Sequence, residues 1–457
     1  MAEPAAPSIR RNAAFAFAGE ATRAILAAIQ ILAVTRLLGP EQYGIYALAY
    51  TVGALALLPS DFGVSWSAAR FIAERRDDRP AAAAVFGDAL RLKIVLAGGI
   101  SLVVAVAAGF IADAYGEPDL TWPLRITAVT LFCQSLFSLC SVIGVAYGRT
   151  SLQAVLYVAE SATEATLVVT AAALAAGASE AALGRVGGFA VGALVGLVIV
   201  FRLLGKGARP RLRRQAPVAI GTYAGVLFLV DVAYALLSAA DTLVIGALLS
   251  ATEVGHFDAP LRMIMFALVL GTAMASAIAP RVVRGEGLPP DVVPLAFGLR
   301  AMVIVGCFGG AIAVAWATPI VDLVLGEEFA ESADVLRVLG VYLPLGLMAP
   351  LATTAFAFLG LSGRRVPVII AALVINTGLD LLLIPAIGIV GGAIGSLAAF
   401  AFFVPAHLWI LHRRIELPLR PLGISTVRSL VAGGATAGVL ALLGTGPLGP
   451  LAIVAGV

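Results

Sequence analysis

Seven ionisable side chains stand inside long apolar stretches of this sequence: Glu20, Arg23, Glu160, Glu164, Asp231, Asp241 and Asp380. An ionised group facing lipid costs about 2.5–3.5 kcal/mol on insertion scales, so each should turn toward the protein interior or a watery cavity. Two chemistries follow. A desolvated carboxyl can carry a proton or pair with a cation, and a guanidinium grips anionic oxygens in pairs through its planar fork. The spacing groups these residues on faces. Glu20, Arg23, Ala27 and Gln30 fall on one side of a helix, and Asp231, Tyr234, Ser238 and Asp241 repeat that spacing. Glu160 and Glu164 form an i,i+4 pair that recurs as Asn376 and Asp380. A cavity shared by two halves accounts for this repetition. The plainer alternative is a set of structural pairs, such as Glu20 with Arg23.

The elements that carry these residues are transmembrane helices. The 457-residue chain is 61% hydrophobic and only 12% charged, with a mean hydropathy of +1.02. Soluble chains carry about 25% charged residues. The apolar blocks run to about 20 residues or more, enough to cross a hydrocarbon core, and backbone groups in lipid must be bonded internally. The short alternating strands of a transmembrane barrel are absent from the pattern. Helices are expected at 13–36, 42–68, 93–112, 121–147, 153–177, 181–203, 219–249, 254–280, 297–325, 333–361, 366–385, 390–411 and 425–443. A last apolar piece, 448–457, is too short to span. The first block outruns a signal-peptide core and reads as the first span. Cys133, Cys140 and Cys307 read as small core residues.

With a cytoplasmic N-terminus, 24 of the 30 lysines and arginines fall on the cytoplasmic side, which fixes the topology by the positive-inside rule. Arg36, Arg125, Arg185, Arg262 and Arg337 fall on the other side, and Arg23 lies within a helix. The connector Leu37–Tyr46 can be laid over Leu248–Phe257 at an offset of 211 residues, which also carries Glu20 onto Asp231 and Gln30 onto Asp241. Six helices separate the copies, so the halves share one orientation and form a parallel repeat. The expected fold is an all-α polytopic membrane protein of 12–14 transmembrane helices. It comprises an N-terminal six-helix lobe (1–217), a second six-helix lobe (218–414) and one or two further helices (415–457). Lys206–Arg214 serves as the linker.

His256, His407 and His412 show no ligand spacing, so no metal site or cofactor is expected, and the basic loops read as topology rather than nucleic-acid contact. Gly391–Gly395 reads as close helix packing. Outer connections of about 4–10 residues leave little room for the extramembrane substrate site of a membrane-embedded polymerase or ligase. A passive bundle does not account for repeated buried charge. A transporter with alternating access does.

The string Val34–Leu48, containing Arg36-Leu37-Leu38-Gly39-Pro40-Glu41-Gln42-Tyr43-Gly44, resembles the first-connector signature of Wzx-type polysaccharide flippases. Arg70–Glu74 and the pair Asp241–Gly246 and Glu253–Phe257 are similar to theirs. These belong to the multidrug/oligosaccharidyl-lipid/polysaccharide exporter superfamily. The resemblance implies an export flippase for undecaprenyl-diphosphate-linked oligosaccharide in the bacterial cytoplasmic membrane, with two rocking lobes and membrane lipids and glycan-assembly proteins as partners. It places Arg23 and, more loosely, Arg262 on the diphosphate; Gln30 and Tyr234, on the two polar helix faces, read as further substrate-binding residues. Glu20, Asp231, Asp241, Glu160, Glu164 and Asp380 are then the coupling or cavity-lining groups, working with protons or sodium. Membrane-depth acids outnumber arginines here, which departs from an anion-binding cavity. A cation-coupled multidrug exporter of the same superfamily is the alternative.

Overall fold

A computed structural model describes residues 9–204, 219–282 and 290–442. The expected linker and the piece 448–457 lie outside the described residues. The described chain is built of α-helices joined by turns and short 3-10 segments: α1 (Ile9–Asp61), α2 (Val64–Glu74), α3 (Arg79–Tyr115), α4 (Thr121–Ala146), α5 (Thr150–Ala175), α6 (Ala178–Leu204) and α7 (Ala219–Leu248). Next come α8 (Ala251–Val282), α9 (Val292–Ala315), α10 (Ala317–Val324), α11 (Ser332–Phe358), α12 (Val366–Ile387), α13 (Ile389–Ile415) and α14 (Leu419–Leu442). Among the described residues, twelve helical segments are long and apolar enough to cross a membrane. The first of them, Ala21–Glu74, is 54 residues long, about 80 Å of helix and enough for two crossings.

The two crossings divide at Gly39 (φ 68°, ψ 173°). Pro40 disfavours the helical region for the residue before it, and glycine tolerates the positive φ that results. A second break falls at Phe62 (φ 42°) and Gly63 (φ 73°), inside the helix expected over 42–68. Helix α3 starts well before the expected residue 93. Asp78 caps it by accepting the Ala81 N–H at 3.1 Å, and Pro80 stands in its first turn. The helix expected over 297–325 is divided at Trp316 into α9 and α10.

The chain forms two compact units. The first runs through Leu38 and resumes over Ile45–Phe228; the second takes Gly39–Gly44 and everything from Leu229 onward. The change of unit thus falls inside α7, eleven residues beyond the expected boundary, and α14 belongs with the second unit. Each unit has the same internal plan. In the first, α6 packs on α4 and α5, α4 packs on α3, and α2 packs on α3 and α4. In the second, α13 packs on α11 and α12, α11 on α9, and α8 on α9 and α11. The two-lobe repeat read from the sequence agrees with this plan. Helix α14 packs on α9, where Arg300 Nε donates to Ser425 Oγ at 2.9 Å.

Small residues set the closest approaches. Gly188 of α6 lies so near α5 that a Cβ there would fall 2.6 Å from the Glu164 Cα, and one at Gly192 would fall 2.9 Å from the Glu160 Cγ. Such contacts let backbones meet where lipid offers no hydrophobic drive for helix association. Within the second unit, the Gly39–Gly44 connector seats against the start of α8. Tyr43 there donates its hydroxyl to Asp258 at 2.8 Å.

Candidate functional site

In the first unit, α1, α5 and α6 bring together one amide, two carboxyls and one guanidinium. Gln30 Nε2 donates to Glu164 Oε1 at 3.4 Å, and Arg185 Nη1 pairs with the same oxygen at 3.1 Å. The Arg185 guanidinium lies 4.4 Å from the Tyr50 ring centroid and 5.3 Å from that of Phe189, a geometry that favours a cation over aromatic faces. Ser161 donates to Glu160 Oε2 at 3.0 Å, while the buried Glu160 Oε1 meets no hydrogen-bond partner. Arg23 is exposed on α1, its guanidinium 5.3 Å from the Tyr157 ring centroid. The Glu20 side chain lies outside the described residues.

Nearer the break between α1 and α2, Lys93 is wholly buried. It is ion-paired with Asp61, and its Nζ donates to Ser135 Oγ at 3.0 Å. Ser65 donates to Asp61 at 2.6 Å. A buried lysine needs this much neutralisation.

In the second unit, α7, α12 and α13 converge on Asp241. Its Oδ1 accepts from Asn376 Nδ2 at 2.8 Å and its Oδ2 from Ser396 Oγ at 2.6 Å. Asp380 adjoins the Asp241 carboxyl and is fully buried, as is Asn376. Neither oxygen of Asp380 meets a donor, nor does Asn376 Oδ1. Buried oxygens are otherwise rarely left so, because each one unmatched costs about 1–3 kcal/mol. Gly395 makes room: a side chain there would run into Asp380 Oδ1.

Asp241 and Asp380 are therefore brought together, and Asp231 is not with them. It lies ten residues earlier on α7, about 15 Å along the helix, exposed and within electrostatic reach of Arg365. Tyr234 is exposed, with its ring 6.5 Å from that of Phe403. Arg262 has both arms of its fork on Asp258, Nε to Oδ2 at 2.9 Å and Nη2 to Oδ1 at 3.0 Å, and Tyr43 holds the same carboxylate. That fork is committed within the protein.

Sequence reasoning left out Arg185, Ser396, Asp258 and Lys93. A signal existed for two of them. Asp258 stands one helical turn before Arg262, and Arg185 stands a turn inside the expected helix 181–203 rather than in the outer loop where its charge was counted. Ser396 is an uncharged residue in a small-residue run and carries no such mark.

Residues 9–286 match the family described as polysaccharide biosynthesis protein, well over half of the chain. The chain is similar to a probable low-salt glycan biosynthesis flippase, Agl15, of Haloferax volcanii, at 24% identity over 215 residues. That match covers 46% of this chain and 45% of the relative, so it spans less than half of either. The fold is similar to that of the lipid II flippase MurJ in an inward closed conformation. The TM-score is 0.70 at 11% identity, covering 94% of this chain and 97% of that one. It is also similar to an inward-facing multidrug resistance transporter of the MATE family, with a TM-score of 0.62 at 15% identity over 92% and 96% of the two chains. A transporter of the same superfamily from Pyrococcus furiosus gives a TM-score of 0.56 at 16% identity over 94% and 96%. At such identities the solved structures speak for the fold alone. The named relatives are flippases and transporters rather than enzymes. With a multi-pass helical architecture and a family match over residues 9–286, the chain belongs to the polysaccharide biosynthesis protein family.

Proposed function

We propose that this protein is a flippase that moves an undecaprenyl-diphosphate-linked oligosaccharide outward across a bacterial cytoplasmic membrane by alternating access, with its N-terminus cytoplasmic, and that a cation bound in the second unit drives it. The observation that carries the coupling is the group of unmatched oxygens at Asp380 and Asn376 beside Asp241. Two carboxyls, an amide oxygen and a hydroxyl form an oxygen set suited to a hard cation, and one positive charge leaves the pair no more than singly negative. A proton satisfies fewer of these oxygens than a sodium-sized ion does, so we assign the coupling to a monovalent metal cation. Arg23, exposed on α1, supplies a guanidinium for the diphosphate. Arg262 contributes through its hold on Asp258 and Tyr43 rather than by a free fork. The similarity to the Haloferax relative, a probable glycan biosynthesis flippase, supports the choice of substrate class. The excess of membrane-depth acids over arginines favours a second reading, cation-coupled multidrug export.

Cells lacking the protein should accumulate the lipid-linked glycan on the inner leaflet, and Arg23→Ala should fail to restore export. Unchanged glycan export together with lost efflux of cationic drugs would select the second reading.

A further inference from the structure

Matched helix by helix, the polar sites of the two units hold the same chemical groups. Gln30 of α1 corresponds to Asp241 of α7, and Glu160 and Glu164 of α5 correspond to Asn376 and Asp380 of α12. Each set contains two carboxyls and one amide, with the amide on opposite helices. Each also contains an amide-to-carboxyl hydrogen bond, Gln30 to Glu164 in one and Asn376 to Asp241 in the other. Each has a serine hydroxyl donating to a carboxyl, Ser161 to Glu160 and Ser396 to Asp241.

The third helix of each set is aligned by its glycines. Gly188 faces Glu164 as Gly395 faces Asp380, which places Arg185 on Gly392. Here the units differ. In the first, Arg185 reaches Glu164 at 3.1 Å and is flanked by Tyr50 and Phe189. In the second, Gly392 has no side chain; a Cβ there would come within 3.6 Å of the Asp241 Cβ. Charge balance then requires of unit two what unit one carries covalently: one positive charge for two carboxyls.

We propose that Arg185 is a tethered cation filling the first unit's counterpart of the coupling site, so that ion coupling is confined to one unit per chain and removal of the arginine uncovers a second monovalent-cation site on Glu164, Glu160 and Gln30. The buried, unpartnered Glu160 Oε1 supplies a ligand oxygen that the guanidinium does not engage. This inference rests on the coupling reading above for the identity of the ion class, but not for its own test.

The test is equilibrium binding of radioactive sodium to the purified full-length protein, with the second-unit site silenced by Asp380→Asn. D380N alone should show no saturable site. Arg185→Gly and Arg185→Gln in that background should each regain one site per chain, which Glu164→Gln removes, while Arg185→Lys should regain none. Sodium should also raise the melting temperature of the glycine and glutamine variants relative to choline. Folded glycine and glutamine variants that bind no sodium would overturn the proposal. So would variants that fail to fold in sodium and choline alike, since Arg185 is then a structural counter-ion only; rescue of folding by sodium supports it. Absence of sodium binding in the wild type would overturn the coupling reading instead, and a site gained by R185G would still stand.

Discussion

The Lys93–Asp61 pair predicts an asymmetric mutational cycle. The Lys93 side chain is 0% exposed and the Asp61 side chain 27%. Asp61→Asn leaves the buried ammonium with neutral acceptors, the asparagine Oδ1 and Ser135 Oγ at 3.0 Å, and without its counter-charge. Breaking a buried pair from this end costs about 3–5 kcal/mol. Deprotonation of the lysine caps that cost, because neutralising a lysine at pH 7 takes under about 5 kcal/mol. Lys93→Met leaves a partly hydrated carboxylate that still accepts the Ser65 hydroxyl at 2.6 Å, and methionine fills most of the lysine stem's volume. Its cost should be about 1–2 kcal/mol. The double variant removes both charges and should cost no more than D61N alone, giving a coupling energy of about 1–3 kcal/mol. Denaturant unfolding in detergent micelles reads all four corners. Equal losses from both single variants would refute the asymmetry, and losses that add in the double variant would show that the two side chains are not coupled.

Other perturbations have comparable signatures. Asp258→Asn should cost about 3 kcal/mol by leaving the largely buried Arg262 fork unmatched, and Tyr43→Phe about 1.5–3 kcal/mol through one lost bond to a carboxylate, both by the same unfolding measurement. Gly188→Val should destabilise by at least about 1–3 kcal/mol because it drives α6 off the α5 backbone, whereas Gly99→Val, with open space around it, should change stability by less than about 1 kcal/mol. Asp380→Asn should abolish stabilisation by sodium, which in the wild type should reach about 2.7 kcal/mol at a hundredfold excess over the dissociation constant, read as a loss of the salt-dependent shift in unfolding.

The helical architecture was legible because lipid demands unbroken apolar blocks, and the duplication because Leu248–Phe257 still echoes Leu37–Tyr46. Hydropathy finds unbroken apolar blocks, so the first turns of α3, from Arg79 to Leu92, which carry Arg79, Asp88 and Arg91, fell outside the expected helix. It is also blind to backbone sign. Phe62 at positive φ is a conformation no phenylalanine advertises. Acids stood out at the site because a charge in an apolar run is costly. Neutral members did not, and Ser396 emerged only when α13 was placed against Asp241. Arg185 was hidden by proximity to a helix end, where positive charge ordinarily reads as topology. Arg262 was visible as a cation, but its availability depended on Asp258, a turn away on the same face.

The most direct measurement is translocation of a diphosphate-linked oligosaccharide lipid in proteoliposomes with and without an imposed sodium gradient. The account predicts gradient-driven movement by the wild type, loss of gradient dependence in Asp380→Asn, and loss of movement in Arg23→Ala. Movement that proceeds equally in all three proteins and ignores the gradient would contradict it.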